Sequence, residues 1–507
     1  MNNNECSVYK KCSGCQLMNM EYSRQLKWKQ IKVERLMNVF GKVNRIVGMD
    51  NPYHYRNKVQ TLFRTTKGGK IISGVYQSAT NGIVGVESCL LNNKRADRIA
   101  IAVKTMLKRL NISTYNPKTG EGFLKNTLIR TAYNTGENML VLVTAYEKFP
   151  QKQQFIEGIL SLYPKITTIV QNINTSPDKM MLGSKEIVLY GSGKIQDVLC
   201  GCRFTVSPKS FYQVNPQQTE YLYNKAIELA QLQGNETVVD AYCGTGTIGI
   251  IAAKYAKQVV GVEINKQAIK DAKENALLNK RNNITFYAKD AGEFLQQLSQ
   301  DETAPPDVLF VDPPRAGCNR EFLNSVNVIK PNKIVYISCN PTTQQRDVKF
   351  LTDRGYTVNQ IQPVDMFPHT NHVETVVLLS QLKQKPDDYI NVTIELDDVD
   401  ITSAETKATY DEIKKYVAEH NAGMKVSNLY ISQVKRKCGI EVGKNLRVAT
   451  RRMDCLQGNS TTAATDLELV PSPNLPKNED SRQPQCPEDK ESAIVEALKH
   501  FKMIQQK

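Results

Sequence analysis

Two short apolar stretches of this chain each end in residues that could do chemistry. FVDPPRAG begins at Phe310 and carries Asp312, and IVYISCNP begins at Ile334 and carries Cys339. Each pattern predicts a buried strand that breaks at proline into a loop. In an open α/β sheet, the loops beyond the carboxyl ends of the strands line the ligand crevice. An acid and a thiol in two such loops therefore indicate nucleophilic chemistry beside a bound cosubstrate.

A simpler interpretation of Cys339 has to be weighed against this one. Most free cysteines behave as small buried hydrophobic residues, and Cys339 taken alone fits that description. The rest of the chain decides between the two interpretations, because a catalytic thiol needs a cosubstrate site and a base beside it.

Length and composition indicate a globular protein of several domains. The chain has 507 residues, of which 40% are hydrophobic and 23% are charged, and this length exceeds that of one ordinary core. No apolar run approaches the length of a membrane span, and the amino terminus lacks the apolar core of a secretion signal, so we expect a cytoplasmic protein. The net charge of +15 permits a polyanionic partner and is also compatible with a solvated basic surface.

Cysteines cluster near the amino terminus. Cys6, Cys12 and Cys15 are spaced C-x5-C-x2-C. A four-ligand metal site needs one more thiolate, and Cys89 is the next cysteine in the chain. Four thiolates suit zinc or a [4Fe–4S] cluster, and a spacing unlike that of a zinc ribbon favours iron–sulfur. The alternative is a set of unrelated free thiols.

The sequence of residues 20–196 predicts a domain that docks the substrate. Residues 20–40 have apolar residues at helical spacing, and we expect Trp28 to anchor the core there. Residues 53–64 read as a strand that is either ordinary and amphipathic or a platform for stacking on unpaired bases. From residue 71 to 196, strand-like runs alternate with two helical ones, which indicates an antiparallel α+β domain.

After Phe204 the pattern changes to strand, glycine turn and helix. In TVVDAYCGTGTIGI a buried strand over residues 237–240 breaks into Gly244-Thr245-Gly246, and a helix begins near Thr247. Glu263 ends the next strand, where an acid can bind both ribose hydroxyls, and Asp290 follows a third strand. The turn lacks the third glycine of dinucleotide-binding proteins, which favours S-adenosylmethionine over a nicotinamide cofactor.

Four motifs occur in the order DAYCGTGTIGI, VDPPRAG, YISCNPTT and HVETVVLL. Together with the cysteine set, they resemble the RNA (uracil-5-)-methyltransferase family. The similarity is closest to its 23S ribosomal RNA members, which carry four cysteines at much the same spacing. The resemblance covers roughly residues 6–381.

The resemblance implies an α/β fold with a Rossmann-like S-adenosylmethionine-dependent methyltransferase domain. Its sheet should be mostly parallel with an antiparallel last strand, and an α+β RNA-binding domain should precede it. We predict that residues 1–200 form the cysteine segment and the RNA-binding domain, that residues 201–384 form the catalytic domain, and that residues 385–507 form an extension with a disordered stretch near residues 459–490.

The resemblance also implies the site residues. It assigns a [4Fe–4S] cluster to Cys6, Cys12, Cys15 and Cys89 and contacts with S-adenosylmethionine to Gln213, Tyr242, Glu263 and Asp312. It assigns the nucleophile to Cys339 and the base to Glu374. Many members begin with a small β-barrel module, whereas this chain starts at the cysteines, so we expect RNA affinity to rest on the central domain or the carboxyl-terminal tail.

These roles match what methylation of uracil C5 requires. C5 is a poor nucleophile, and a thiolate that adds to C6 turns C5 into an enolate carbon that can attack a sulfonium methyl group. A base must then remove the C5 proton so that elimination frees the thiol. Asp312 is placed to position the donor or the base ring, and Arg315 to hold a phosphate or the uracil edge. His369 and His372 either orient Glu374 or cap its loop. The target uridine must be unpaired or flipped out of its helix to enter such a site.

The leading prediction is a monomeric enzyme that makes 5-methyluridine in 23S ribosomal RNA. The alternatives are a tRNA uracil-5 methyltransferase, an RNA cytosine-5 methyltransferase, and a non-catalytic RNA-binding assembly factor. Cytosine-5 enzymes commonly place a second cysteine after the Asp-Pro motif, where this chain has Arg315. An exocyclic-amine methyltransferase would give Cys339 no role.

The tail beyond Leu382 contains three further predicted elements. These are an acidic strand over residues 389–400, an amphipathic helix over residues 409–419 and a final helix over residues 491–504. The helix over residues 409–419 is followed from Val426 by the segment VSNLYISQVKRKCGIEVG. These two read as helices with a basic turn between them, which indicates either a small nucleic-acid-binding unit or a packing accessory.

Overall fold

The computed structural model describes residues 6–77, 82–176, 182–300, 305–381, 410–421, 424–438 and 487–500. The chain forms two compact units, Met1–Asp387 and Asp388–Lys507. None of the helices in the described ranges is long and apolar enough to cross a membrane.

The described ranges contain twelve helices and sixteen strands. In chain order they are α1 (Tyr22–Met37), β1 (Lys58–Thr65), β2 (Ile71–Tyr76), β3 (Ile83–Gly85), α2 (Lys94–Arg109), β4 (Leu124–Thr131), β5 (Asn138–Thr144), α3 (Lys152–Leu162), β6 (Thr168–Ile173), β7 (Lys185–Tyr190), β8 (Ile195–Leu199), β9 (Cys202–Val206), α4 (Pro216–Ala230), β10 (Thr237–Ala241), α5 (Thr247–Ala252), β11 (Gln258–Glu263), α6 (Lys266–Leu278), β12 (Ile284–Ala288), α7 (Ala291–Gln300), β13 (Val308–Val311), α8 (Arg320–Ile329), β14 (Lys333–Ser338), α9 (Pro341–Thr352), β15 (Tyr356–Val364), β16 (Glu374–Gln381), α10 (Tyr410–His420), α11 (Asn428–Lys437) and α12 (Glu488–His500).

The first sheet has seven strands in the order β3-β2-β1-β4-β5-β6-β7. All its pairs are antiparallel except β5 with β6. Helices α2 and α3 pack their apolar faces on one side of it. The strand predicted from residue 53 begins only at Lys58, because His54 has a φ of 56° and the Tyr55 hydroxyl donates to the carbonyl of Pro368 at 3.1 Å.

The second sheet has seven strands in the order β12-β11-β10-β13-β14-β16-β15. The first five are parallel, as expected for near-continuous apolar strands with helices on both faces. β16 is antiparallel to both of its neighbours. The predicted, mostly parallel sheet with an antiparallel last strand is therefore confirmed.

The two sheets of the first unit share a core. Leu128 and Val141 of the first sheet belong to the same buried apolar cluster as Phe310 and Val335 of the second. A two-stranded ribbon of β8 and β9 lies between them in the chain. The predicted domain boundary after residue 200 falls in the turn of this ribbon, and the division into domains remains a prediction.

Helix α1 packs against the second sheet although it precedes the first in the chain. Val33 and Met37 lie in the core cluster of the second sheet, and Gln25 and Lys29 complete the buried stripe. Trp28 lies beside that stripe and is 39% exposed. The prediction that Trp28 anchors the core is therefore wrong, because the buried positions recur at 25, 29, 33 and 37.

The second unit is described for its three helices. Ile413 and Val417 of α10, Ile431 of α11 and Ile494 of α12 share a buried cluster. The predicted helices over residues 409–419 and 491–504 correspond to α10 and α12. α12 begins at Glu488, so the predicted disorder is wrong for residues 488–490, where acidic side chains in the first turn favour the amino terminus of a helix. The rest of that stretch and the predicted strand over residues 389–400 lie outside the described residues.

Candidate active site

The carboxyl ends of the parallel strands meet at one edge of the second sheet, and three predicted site residues lie there. Asp312 directly follows β13, and Cys339 directly follows β14. β16 runs antiparallel to β14 with Ser338 paired to Thr375. The next position along this register places Cys339 opposite Glu374. The fold thus brings a thiol and two carboxyl groups to one edge of the sheet.

Arg315 joins the loops that follow β13 and β14. Its backbone carbonyl accepts hydrogen bonds from Asn340 Nδ2 at 3.1 Å and from Thr343 Oγ1 at 3.2 Å. Its Nη2 lies 3.0 Å from each ring nitrogen of His372, and its side chain hydrogen-bonds with that of Cys339. A fixed cation beside a thiol favours the thiolate form.

Burial sets the protonation of the acidic groups at this edge. Glu374 is 4% exposed. Burial, followed by the charge of Asp312, raises the pKa of the Glu374 carboxyl to about 8, although Arg315 lowers it. Burial raises the pKa of Asp312 to about 7. Burial, followed by the charge of Glu374, also raises the pKa of Cys339, and Arg315 opposes the shift. A carboxyl group with a pKa near neutrality suits a general base.

The turn after β10 has the open backbone that the glycine pattern predicts. Tyr242, Gly244 and Gly246 have φ values of 62°, 54° and 78°. Among the described residues, no atom lies within 4 Å of the position that a Cβ would take at Gly244. Glu263, at the end of β11, accepts hydrogen bonds from the N–H groups of Gly244 at 3.3 Å and Asn265 at 2.9 Å. The turn and Glu263 therefore lie together at the carboxyl ends of the parallel strands, where the ligand crevice is expected.

Two other strand-end acids make backbone contacts. Asp240 is fully buried and accepts a hydrogen bond from the N–H of Gly249 at 2.8 Å, and burial raises its pKa to about 8. Asp290 accepts hydrogen bonds from the N–H groups of Gly292 at 2.8 Å and Glu293 at 3.2 Å, at the start of α7. Both acids hold the turns that surround the crevice.

Gln213 reaches the same region from the segment before α4. Its side chain and that of Thr247 hydrogen-bond with the hydroxyl of Tyr223, which is buried. Burial, followed by the charge of Asp312, raises the pKa of Tyr223. Asn57 Nδ2 donates to the carbonyl of Gln213 at 3.1 Å and fixes the segment. Gln213 and Asp312 are therefore neighbours of one buried phenol.

The four predicted cluster ligands lie around one space. Cys6, Cys12, Cys15 and Cys89 line a cavity of about 440 Å³. Burial, followed by the charges of the other three thiols, raises the pKa of Cys15 to about 12. Within the described ranges, no three His, Cys, Asp or Glu side chains are arranged so that they could hold a metal ion. The four thiols share a cavity, and their side chains do not converge on one point.

The sequence interpretation missed a buried polar cluster between α1 and the loop that precedes Glu374. Lys29 Nζ lies 2.6 Å from Asp365 Oδ1, and both side chains are 0% exposed. His369, predicted to orient Glu374 or to cap its loop, hydrogen-bonds through Nδ1 with Gln25 Nε2 at 3.1 Å. The helical spacing of Gln25 and Lys29 was visible in the sequence, but polar residues at that spacing usually face water.

A family model and many known proteins resemble this chain. The model described as tRNA (uracil-5-)-methyltransferase matches residues 21–382. An uncharacterized RNA methyltransferase of Staphylococcus aureus is 43% identical over 383 residues, which are 74% of this chain and 83% of the relative. One from Bacillus cereus is 43% identical over 385 residues, which are 75% of this chain and 83% of the relative.

The crystal structure of Pyrococcus abyssi tRNA (uracil-54, C5)-methyltransferase in complex with S-adenosyl-L-homocysteine has the same fold. It superposes with a TM-score of 0.61 at 30% sequence identity and covers 72% of this chain and 86% of its own. The predicted Rossmann-like methyltransferase fold is thus confirmed. The extent of the family match and the identity to these relatives show that the chain belongs to the tRNA (uracil-5-)-methyltransferase family.

Proposed function

We propose that this protein transfers a methyl group from S-adenosylmethionine to uracil C5 in 23S ribosomal RNA and so makes 5-methyluridine. The reaction proceeds through a covalent adduct between Cys339 and uracil C6. The observation that carries the proposal is the pairing of β14 with β16, which sets Cys339 opposite Glu374 with Arg315 beside both.

The residues divide the reaction into addition and elimination. The Cys339 thiolate, stabilised by Arg315, adds to C6, and the electron pair of the C5–C6 double bond moves to give an enolate with a nucleophilic C5. S-adenosylmethionine, when bound, would supply an electrophilic methyl group to C5, and the electron pair of the broken S–CH3 bond would leave with S-adenosylhomocysteine. Glu374 then accepts the C5 proton, the C6–sulfur bond breaks, and its electron pair returns to Cys339. Each turnover therefore restores the free thiolate.

We assign the binding of S-adenosylmethionine to Gln213, Tyr242, Glu263 and Asp312. Glu263 ends the second strand of the sheet, the position from which an acid binds ribose hydroxyls. The open backbone at Gly244 leaves room for a ligand beside it. All four residues belong to the loops or strand ends of one crevice, which supports a single cosubstrate site.

The uridine has to leave its helix to reach Cys339. An enzyme that reacts with a base atom within a stack binds an unpaired or flipped nucleotide. The nucleophile, the base and the cosubstrate residues all lie in the first unit of the chain. A second copy is not needed to complete this set, and we propose that the enzyme acts as a monomer.

The choice of 23S ribosomal RNA rests on the cysteine set, because the 23S members that the sequence resembles carry four cysteines at similar spacing. A tRNA substrate is the second candidate, and the 30% identity to the tRNA enzyme of Pyrococcus abyssi favours it. Both candidates share the chemistry at C5 and differ in the RNA that is bound.

Mapping 5-methyluridine in cells with and without the gene separates the two candidates. We expect one or more 5-methyluridines to disappear from 23S ribosomal RNA while those in tRNA remain. Loss from tRNA alone would contradict the ribosomal assignment and leave the chemistry intact. No loss from either RNA would contradict the proposed function itself.

We also propose that Cys6, Cys12, Cys15 and Cys89 hold a [4Fe–4S] cluster. Four thiols around one cavity are the donor set that such a cluster uses. Cys89 is separated from the other three in the chain by α1 and by β1–β3, so a bound cluster would join two distant segments of the chain.

Protein purified without air should be brown and carry about four iron atoms per chain. Cys15→Ser should lose the iron and lower thermal stability, whereas Cys200→Ser, at a half-buried cysteine in the ribbon turn, should retain it. Iron analysis and the visible spectrum of both variants test this. Stoichiometric zinc without visible absorption would contradict the iron–sulfur assignment.

A further inference from the structure

The loop that connects β15 to β16, residues 365–372, ends two positions before Glu374 and carries His372, the partner of Arg315. Four side chains of α1 contact this loop. They recur at positions 22, 25, 29 and 32, a spacing that places them on one face of a helix. We call this set, Tyr22, Gln25, Lys29 and Lys32, the α1 polar stripe.

The members of the α1 polar stripe hold the loop at several points, and Tyr22 and Lys29 share one of them, Asp365. Tyr22 Oη donates to Asp365 Oδ2 at 2.9 Å. Lys29 Nζ donates to Asp365 Oδ1 at 2.6 Å and to the carbonyl of Phe367 at 3.0 Å. Lys32 Nζ donates to the carbonyl of Asn371 at 3.0 Å. The contacts therefore run from the first residue of the loop almost to its last.

Gln25 holds the middle of the loop through both ends of its amide. Its Oε1 accepts a hydrogen bond from the backbone N–H of His369 at 2.9 Å. Its Nε2 lies 3.1 Å from Nδ1 of the His369 ring and also donates to the carbonyl of Met20 at 2.7 Å. His369 is 2% exposed and has a φ of 67°. A non-glycine residue keeps such a backbone conformation only where its surroundings fix it.

A buried charge pair adds little net stability, because removing both charges from water offsets most of their attraction. Lys29 and Asp365 are wholly buried, so an apolar contact could replace them as far as stability is concerned. What the pair provides, with the hydrogen bonds of Tyr22 and Gln25, is one defined position of the loop relative to α1.

We infer that the α1 polar stripe is a positioning element for Glu374. It fixes residues 365–372 so that the carboxyl of Glu374 meets the C5 proton after methyl transfer. The inference rests on the proposed function. The hydrogen bonds of the stripe begin next to Glu374, because Glu374 pairs with Val364, the residue before Asp365. Cys339 lies in another loop, after β14, where Asn340 and Thr343 hold the backbone carbonyl of Arg315.

The test compares two glutamines of α1. Gln25→Met removes three hydrogen bonds, two of them to His369. The matched control is Gln30→Met, which also removes three hydrogen bonds. These bonds join Gln30 to the side chain of Glu34, to the carbonyl of Asn44 and to the backbone N–H of Ile46. Methionine keeps the length of the side chain and introduces no charge, so both variants should fold.

We expect Gln25→Met to lower kcat by about 10- to 100-fold, as misplacement of a catalytic group does. Its affinity for S-adenosylmethionine should stay within about twofold of that of the unmodified enzyme, because the four residues assigned to cosubstrate binding are unchanged. Covalent protein–RNA complex should accumulate during turnover, because elimination slows more than addition. Gln30→Met should lose a similar amount of thermal stability. Its kcat should not fall in this way, and covalent complex should not accumulate.

Equal kcat values for the two glutamine variants, or a Gln25→Met variant that fails to form adduct with 5-fluorouridine RNA, would overturn the inference. Both outcomes presuppose that the unmodified enzyme methylates RNA. Absence of methylation by the unmodified enzyme would instead contradict the proposed function.

Discussion

Replacing Cys339 with alanine is expected to reduce methyl transfer by at least about 10⁴-fold, because without the thiolate C5 never becomes nucleophilic. Binding of S-adenosylmethionine should persist, since Gln213, Tyr242 and Glu263 come from other loops. Transfer of a labelled methyl group to RNA measures the first effect, and calorimetric titration with S-adenosylmethionine measures the second.

Cys318 provides the matched control. It belongs to the loop after β13, is 5% exposed, and its Sγ lies 3.6 Å from the hydroxyl of Tyr336. Cys318→Ala should cost about 1 kcal/mol of stability and leave methyl transfer nearly unchanged. A Cys339→Ala variant that still methylates RNA at the rate of Cys318→Ala would contradict the assignment of the nucleophile.

Replacing Glu374 with glutamine should trap the enzyme on its RNA. Glutamine has the shape of glutamate but cannot accept the C5 proton, so addition and methyl transfer proceed and elimination stops. A denaturing gel of the variant with labelled RNA and S-adenosylmethionine should show a covalent complex. Cys339→Ala should show none. Free, fully methylated RNA from Glu374→Gln would mean that another group is the base.

The pKa of Glu374 adds a pH dependence to this prediction. Burial raises that pKa to about 8, so below pH 8 most of the carboxyl is protonated and cannot act as a base. Turnover by the unmodified enzyme should rise by up to roughly tenfold per pH unit toward this value and then level off, as long as elimination limits the rate. A turnover rate that stays constant between pH 6 and 8 would contradict proton removal by Glu374 as the rate-limiting step.

A fluorine at C5 gives the converse check on the unmodified enzyme. Glu374 cannot remove fluorine as a proton, so RNA with 5-fluorouridine at the target should form the covalent complex even when Glu374 is present. The complex should contain Cys339 in its peptide, and its absence would contradict the addition step.

The strand-end residues could be predicted from sequence because local patterns determine them. Apolar runs that break at proline placed Asp312 and Cys339 at strand ends, and the glycine turn placed Glu263 about twenty residues further on. Periodicity could not predict that Cys339 lies opposite Glu374. That relation depends on the antiparallel register of β16 against β14, which is a tertiary property.

The α1 polar stripe shows where local reasoning fails. The helix was predicted, but its buried face was assigned to Trp28 and the apolar positions. In the structure Lys29 is buried because Asp365, 336 positions further along the chain, supplies its counter-charge. A buried lysine cannot be recognised until its partner is known, and the two residues become neighbours only when α1 packs against the second sheet.

Methylation at uracil C5 through addition and elimination replaces the C5 hydrogen. The most direct measurement uses RNA with tritium at C5 of its uridines and counts tritium released to water against methyl groups transferred. We expect one tritium released per methyl group, and none from Cys339→Ala. Methylated RNA that keeps all of its tritium would contradict the account, because the methyl group would then lie on another atom.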